Sequence, residues 1–152
     1  MTEIIFCDTD FLSSFLWTNT EFLLIHLFGS NMFLPRQVYD ELSKVPPLKI
    51  RVDQMIKDKY LSIIDIEVYS EEESLYNELT FPNQKRGFPL IGKGEAAAIV
   101  LSKKNKGTLA SNNLKDVLYY VHLYDLIHIT TADIIKAACE KDKITVNEAE
   151  EI

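Results

Sequence analysis

Five short apolar runs, each followed by a stretch with helical spacing, constrain this chain more than any other feature. The runs are residues 4–7, 32–34, 61–66, 108–110 and 126–129. Each is strand-length, and the segments between them are long enough to carry the chain back across a sheet. Strands separated in this way do not pair as tight hairpins. The alternation therefore predicts an α/β fold: a central, mostly parallel five-stranded sheet with helices on both faces.

The connecting segments carry recognisable start and stop signals. Apolar spacing predicts helices over 11–17 and 21–27, with Gly29 where the second should stop. Pro35 stands just before a helix predicted over 36–43, Pro46 and Pro47 punctuate the chain, and 50–59 reads as a charged, weakly amphipathic helix. Ser70 with Glu73 forms a capping-box pattern. Glu95 opens an alanine-rich helix, apolar nearly all round, that Gly107 ends. Further helices are predicted over 114–121 and 132–141, the latter capped by Thr130 or Thr131, followed by a short acidic tail helix over 145–152. The least regular part is 80–94, with Pro82, Asn83, Gly87, Pro89, Gly92 and Gly94, a length of loop that is commonly functional.

The 152 residues suit one domain, 1–152, and 47% hydrophobic with 26% charged residues is ordinary globular composition. The longest apolar stretch is interrupted by His26 and is far short of the roughly 20 residues of a membrane span, and no basic-flanked leader opens the chain. A cytoplasmic protein is expected. Cys7 and Cys139 lack metal or redox spacing and read as small apolar residues. The net charge of −7 opposes binding to nucleic acid by phosphate contacts alone. Either the partner is not a polyanion, or the acids surround a divalent cation that meets phosphate on the protein's behalf.

Three acids stand at comparable structural places. Asp8 ends the first strand, Glu41 lies in the helix after the second, and Glu95 directly precedes six apolar residues. A carboxylate there is costly to bury unless paired, hydrogen-bonded or bound to a cation. The plainer alternatives are a strand-ending Asp8, a helix-capping Asp10 and a first-turn Glu95 stabilised by the helix dipole.

Asp8-Thr9 closing an apolar strand, Pro35 with Val38-Tyr39-Asp40-Glu41-Leu42, Gly92-Lys93-Gly94-Glu95-Ala96-Ala97-Ala98-Ile99 and the late Ser111-Asn112-Asn113 resemble, in that order, the PIN domain, and its bacterial toxin-like branch in particular. The resemblance implies a parallel five-stranded sheet, an acidic cluster at one end, and hydrolysis of RNA dependent on Mg2+ or Mn2+. A small antitoxin protein and a homodimer are partners it also implies. The family's acids map to Asp8, Glu41 and Glu95 as metal ligands and catalytic residues. The fourth acidic position falls on Asn112, with Asn113 beside it, which is a departure: an amide keeps an oxygen for a hard cation but brings no charge and takes no proton. Asp10 and Asp116 are the local acids that could compensate. Thr9 and Ser111 are placed to orient carboxylates or waters, or simply to cap.

Lys85, Arg86, Lys93 and Lys115 are available for a substrate backbone, whereas Lys103, Lys104 and Lys106 read as solvated charges at a helix C-terminus. His26, His122 and His128 show no metal spacing, and Tyr119, Tyr120 and Tyr124 suit either base stacking or a core edge. The alternative to a nuclease is a catalytically weakened protein of the same fold that binds RNA or protein, which Asn112 motivates. A flavodoxin-like nucleotide-binding domain is disfavoured, because no glycine-rich phosphate loop follows any strand.

Overall fold

The structure, a computed structural model, describes residues 3–81, 91–141 and 144–152. Five strands, β1 (Ile5–Cys7), β2 (Met32–Pro35), β3 (Leu61–Ile64), β4 (Thr108–Ala110) and β5 (Ile127–Ile129), form one sheet in the order β3-β2-β1-β4-β5. Every pairing is parallel, with Phe6 beside Phe33 on one side and beside Leu109 on the other. The sheet is thus wholly parallel, and β1 lies at its centre.

Nine helices are described: α1 (Thr9–Trp17), α2 (Glu21–Phe28), α3 (Arg36–Ser43), α4 (Pro46–Lys57), α5 (Glu71–Thr80), α6 (Lys93–Asn105), α7 (Leu114–Leu123), α8 (Thr131–Glu140) and α9 (Val146–Glu150). Successive side chains of a strand point to opposite faces, and two separate cores result. On one side Ile5, Cys7, Met32, Leu34 and Ala110 pack with Phe11, Phe15, Leu24, Val38, Val52 and Ile134 from α1 to α4 and α8. On the other, Leu109 packs with Leu79, Ile99, Val100, Val117 and Tyr120 from α5, α6 and α7. Alanine-rich α6 is buried over Ala96–Leu101, which lets it lie close against the sheet.

Three local readings change. The helix after β1 starts at Thr9, and its N-cap is Asp8, not Asp10: Asp8 Oδ1 accepts from Phe11 N at 2.9 Å. Pro46 and Pro47 do not interrupt the chain but open α4 as its first two residues, where a missing N–H costs nothing. Gly107 follows a left-handed Lys106 (φ 53°), so the reversal that ends α6 falls on the lysine. Gly107 is needed for closeness instead, since a Cβ there would stand 2.5 Å from the Phe6 ring. The predicted basic pair Lys85 and Arg86, and most of the predicted loop, lie outside the described residues. Among the described residues no helix is long and apolar enough to cross a membrane.

Candidate active site

The sheet order places a topological switch point between β1 and β4. From β1 the chain winds outward through β2 and β3; it then returns to the other side of β1 for β4 and β5. In open parallel sheets, ligands bind outside the carboxyl ends of the strands at such a point. Asp8 follows β1 and Ser111 follows β4, and the pairing continues past both, with Asp8 N donating to the Ala110 carbonyl at 3.0 Å. A cleft of about 190 Å³ opens there, lined by Asp8, Thr9, Asp10, Glu41, Gly92, Gly94, Glu95 and Asn113. Four carboxylates and no basic side chain face it among the described residues.

Asp8 is 1% exposed. Its Oδ2 accepts from the Ser111 hydroxyl and its Oδ1 from Phe11 N. Burial pushes its pKa up to about 7; the two hydrogen bonds pull against this, and the nearby charges of Asp10 and Glu95 add to it. The strand end that makes Asp8 a capping residue also denies it water.

Glu41 reaches the cleft from α3. One carboxylate oxygen accepts from the Thr9 hydroxyl, and the other accepts from Gly94 N at 3.2 Å. A Cβ on Gly94 would lie 2.9 Å from that second oxygen and 3.1 Å from Val38 Cγ2, so the glycine is what lets α6 begin so close to α3. The sequence signal for this was the Gly-x-Gly-Glu spacing, which marked a turn but not its occupant.

Glu95 is the third residue of α6 and reaches back to Gly92 N at 3.1 Å, completing a capping arrangement. Its other oxygen accepts from Asn113 Nδ2, which also donates to Asp116 Oδ2 at 2.8 Å. Its pKa is raised, by burial first and then by the charges of Asp116 and Asp10. The plain reading of Glu95 as a capping residue and the reading of it as a cleft acid are both true of one side chain.

The two asparagines divide. Asn113 enters the cleft and ties Glu95 to Asp116, while Asn112, predicted to hold the fourth acidic position, turns away to Thr131. Asn112 Nδ2 donates to Thr131 Oγ1 at 2.6 Å and its Oδ1 accepts from Thr131 N at 2.7 Å; Thr131 Oγ1 in turn lies 2.9 Å from Ser14 Oγ. These bonds lace the end of β4 to α8 and α1. His128, set aside as structural, contacts the Ser111 carbonyl through Nε2 at 2.9 Å. Lys93 and Lys115 are exposed in the first turns of α6 and α7.

The donor chemistry suits a hard cation: oxygen ligands, uncompensated charge, and a buried acid whose ionisation a cation would favour. Among the described residues no three Asp, Glu, His or Cys side chains are grouped as in a formed metal cage. Magnesium keeps several waters and needs only one or two carboxylates, so the residues fit such an ion without a closed cage.

A chain of the solved structure described as FitAB bound to an IR36 DNA fragment has the same architecture, with a TM-score of 0.55 over 84% of this chain and 95% of that one, at 15% sequence identity. The fold is PIN-like. At that identity the PIN-like likeness is one of fold alone. No family model and no curated protein matches the chain.

Proposed function

We propose that this chain is a metal-dependent endoribonuclease, the toxin of a toxin–antitoxin pair, with Mg2+ or Mn2+ held by Asp8, Glu41 and Glu95. The observation that carries the reading is the convergence of four carboxylates, without a basic side chain among the described residues, on a cleft at the switch point of a PIN-like sheet. A divalent cation bound there would supply Lewis acidity, an acidified water and charge neutralisation for attack on a phosphodiester. The chain's own residues do the positioning. Thr9 and Gly94 N hold the Glu41 carboxylate, Ser111 holds Asp8, and Gly92 N with Asn113 holds Glu95. Asp8, poised near neutrality by burial, is able to exchange a proton with a group in the cleft. The antitoxin rests on the resemblance to bacterial toxin-like PIN domains.

A second reading has its own support. Each proposed ligand is already hydrogen-bonded, and the fourth cleft position is an amide, Asn113, as in a binding module with weakened catalysis. Cleavage of RNA in Mn2+, measured beside Asp8→Asn and Glu95→Gln with folding checked by circular dichroism, separates the two. Metal-dependent cleavage lost in both variants supports the nuclease. Cleavage undiminished in both removes the site, and absence of Mn2+ binding by calorimetry favours the module.

A further inference from the structure

At the far end of α6 from the acidic cleft, a second pocket of about 170 Å³ opens between the C-terminal turn of α6 and the segment joining α7 to β5. Thirteen residues of helix separate the two sites, about 20 Å. The pocket contains a polar atom without a partner. Ser102 is wholly buried, lines the pocket, and its hydroxyl makes no hydrogen bond among the described residues. A helical serine ordinarily bonds back to a carbonyl one turn earlier, and a buried hydroxyl left without any bond is unfavourable.

The other lining groups are chemically mixed in an informative way. Lys103 and Lys106 bring two ammonium groups, and among the described residues no ion pair engages either; the neighbouring Lys104 is instead paired with Glu72 at 3.7 Å. Lys103 Nζ lies 5.5 Å from the centre of the Tyr124 ring. Asp125 faces the same space, and Ile127, 64% exposed, supplies an apolar wall. Lys106 and Asp125, on opposite sides of the pocket, are both left-handed, with φ of 53° and 52°. Non-glycine residues held in that conformation gather at ligand sites. Helix-end lysines alone would need no ligand to explain them; the orphaned hydroxyl beside them does.

Amines for a phosphate, a carboxylate to accept from vicinal ribose hydroxyls, and an aromatic and aliphatic wall for a base are the three chemistries of one compound class. We infer that this pocket binds a ribonucleotide, with Lys103 and Lys106 on its phosphate, Asp125 on its ribose hydroxyls and Ser102 completing a hydrogen bond. The ligand is either a free mononucleotide or the terminal ribonucleotide of an RNA strand. The site is distinct from the acidic cleft and does not require it to be catalytic.

Calorimetric titration of the full chain with adenosine monophosphate, in EDTA so that the acidic cleft takes no part, tests this. Binding is expected, about tenfold weaker for deoxyadenosine monophosphate and about tenfold weaker in the double variant Lys103→Glu, Lys106→Glu. Ser102→Ala, which a helix tolerates, should also weaken it several-fold. An RNA oligomer that binds more tightly than the mononucleotide, and loses that advantage when its terminal ribose is blocked, identifies a strand end; the reverse order identifies the free nucleotide. No binding, or equal binding by wild type and both variants, overturns the inference.

Discussion

The backbone N–H of Gly94 donates to Glu41 Oε1 across a gap that leaves no room for a Cβ, which would stand 2.9 Å from that same oxygen. One hydrogen bond therefore couples the N-terminus of α6 to the acid carried by α3, and it exists only because residue 94 has no side chain. Gly94→Ala should move Glu41 while leaving the fold in place, since alanine favours the helix by about 1 kcal/mol and offsets part of the crowding. The expected outcome is Mn2+ affinity reduced about tenfold, read by calorimetry, with a melting temperature little changed.

Asp8 makes stability depend on pH in an unusual direction. Its pKa is raised by burial from 3.8 to about 7, so the folded state binds the proton more tightly than the unfolded one. Its contribution to stability is present at low pH and is lost as pH rises through about 7. Asp8→Asn removes the titration, keeping an acceptor for Phe11 N. Its stabilisation relative to wild type should be larger by about 2 kcal/mol at about pH 7.5 than at about pH 5, at about 1.4 kcal/mol per pKa unit. Urea unfolding at the two pH values reads this, and saturating Mn2+ should shrink the difference.

Asn113 bridges Glu95 and Asp116 with one amide nitrogen. In Asn113→Asp three carboxylates would face one another without that donor, and loss of two charge-assisted bonds should lower stability by about 1–3 kcal/mol without metal. The same charge should strengthen cation binding. The melting temperature in EDTA should fall below wild type, and the rise on adding Mn2+ should exceed the wild-type rise.

Asn112 behaves otherwise, because it contacts Thr131 and not the cleft. Asn112→Asp retains an acceptor for Thr131 N, so stability should change by less than about 1 kcal/mol and Mn2+ affinity should stay as in wild type. Asn112→Ala strips both bonds and should cost about 1–3 kcal/mol in chemical unfolding.

The sheet was legible because its strands are short, apolar and separated by helix-length connections, a pattern with few alternative packings. The acids at Asp8, Glu41 and Glu95 were legible as candidates because each stands where a strand or buried helix meets a turn. Which of two adjacent asparagines enters the cleft was not: successive residues leaving β4 diverge, and the choice was made by Thr131, nineteen positions later. Gly94 and Gly107 were legible as helix boundaries, yet their tight approaches to Glu41 and Phe6 depend on tertiary neighbours that local pattern does not encode. Asp8 as N-cap was missed because Asp10, two residues on, carries the same capping chemistry.

The central position of β1 has a consequence for when this protein becomes what it is. Asp8 is made among the first residues of the chain, but its partner Ser111, on which its burial depends, arrives only with β4, and Asn113 and Asp116 follow it. A nascent or truncated chain ending before β4 has the first acid and no cleft. Whatever chemistry the complete chain performs, its incomplete forms are inert by construction, and the site switches on only as synthesis nears its end.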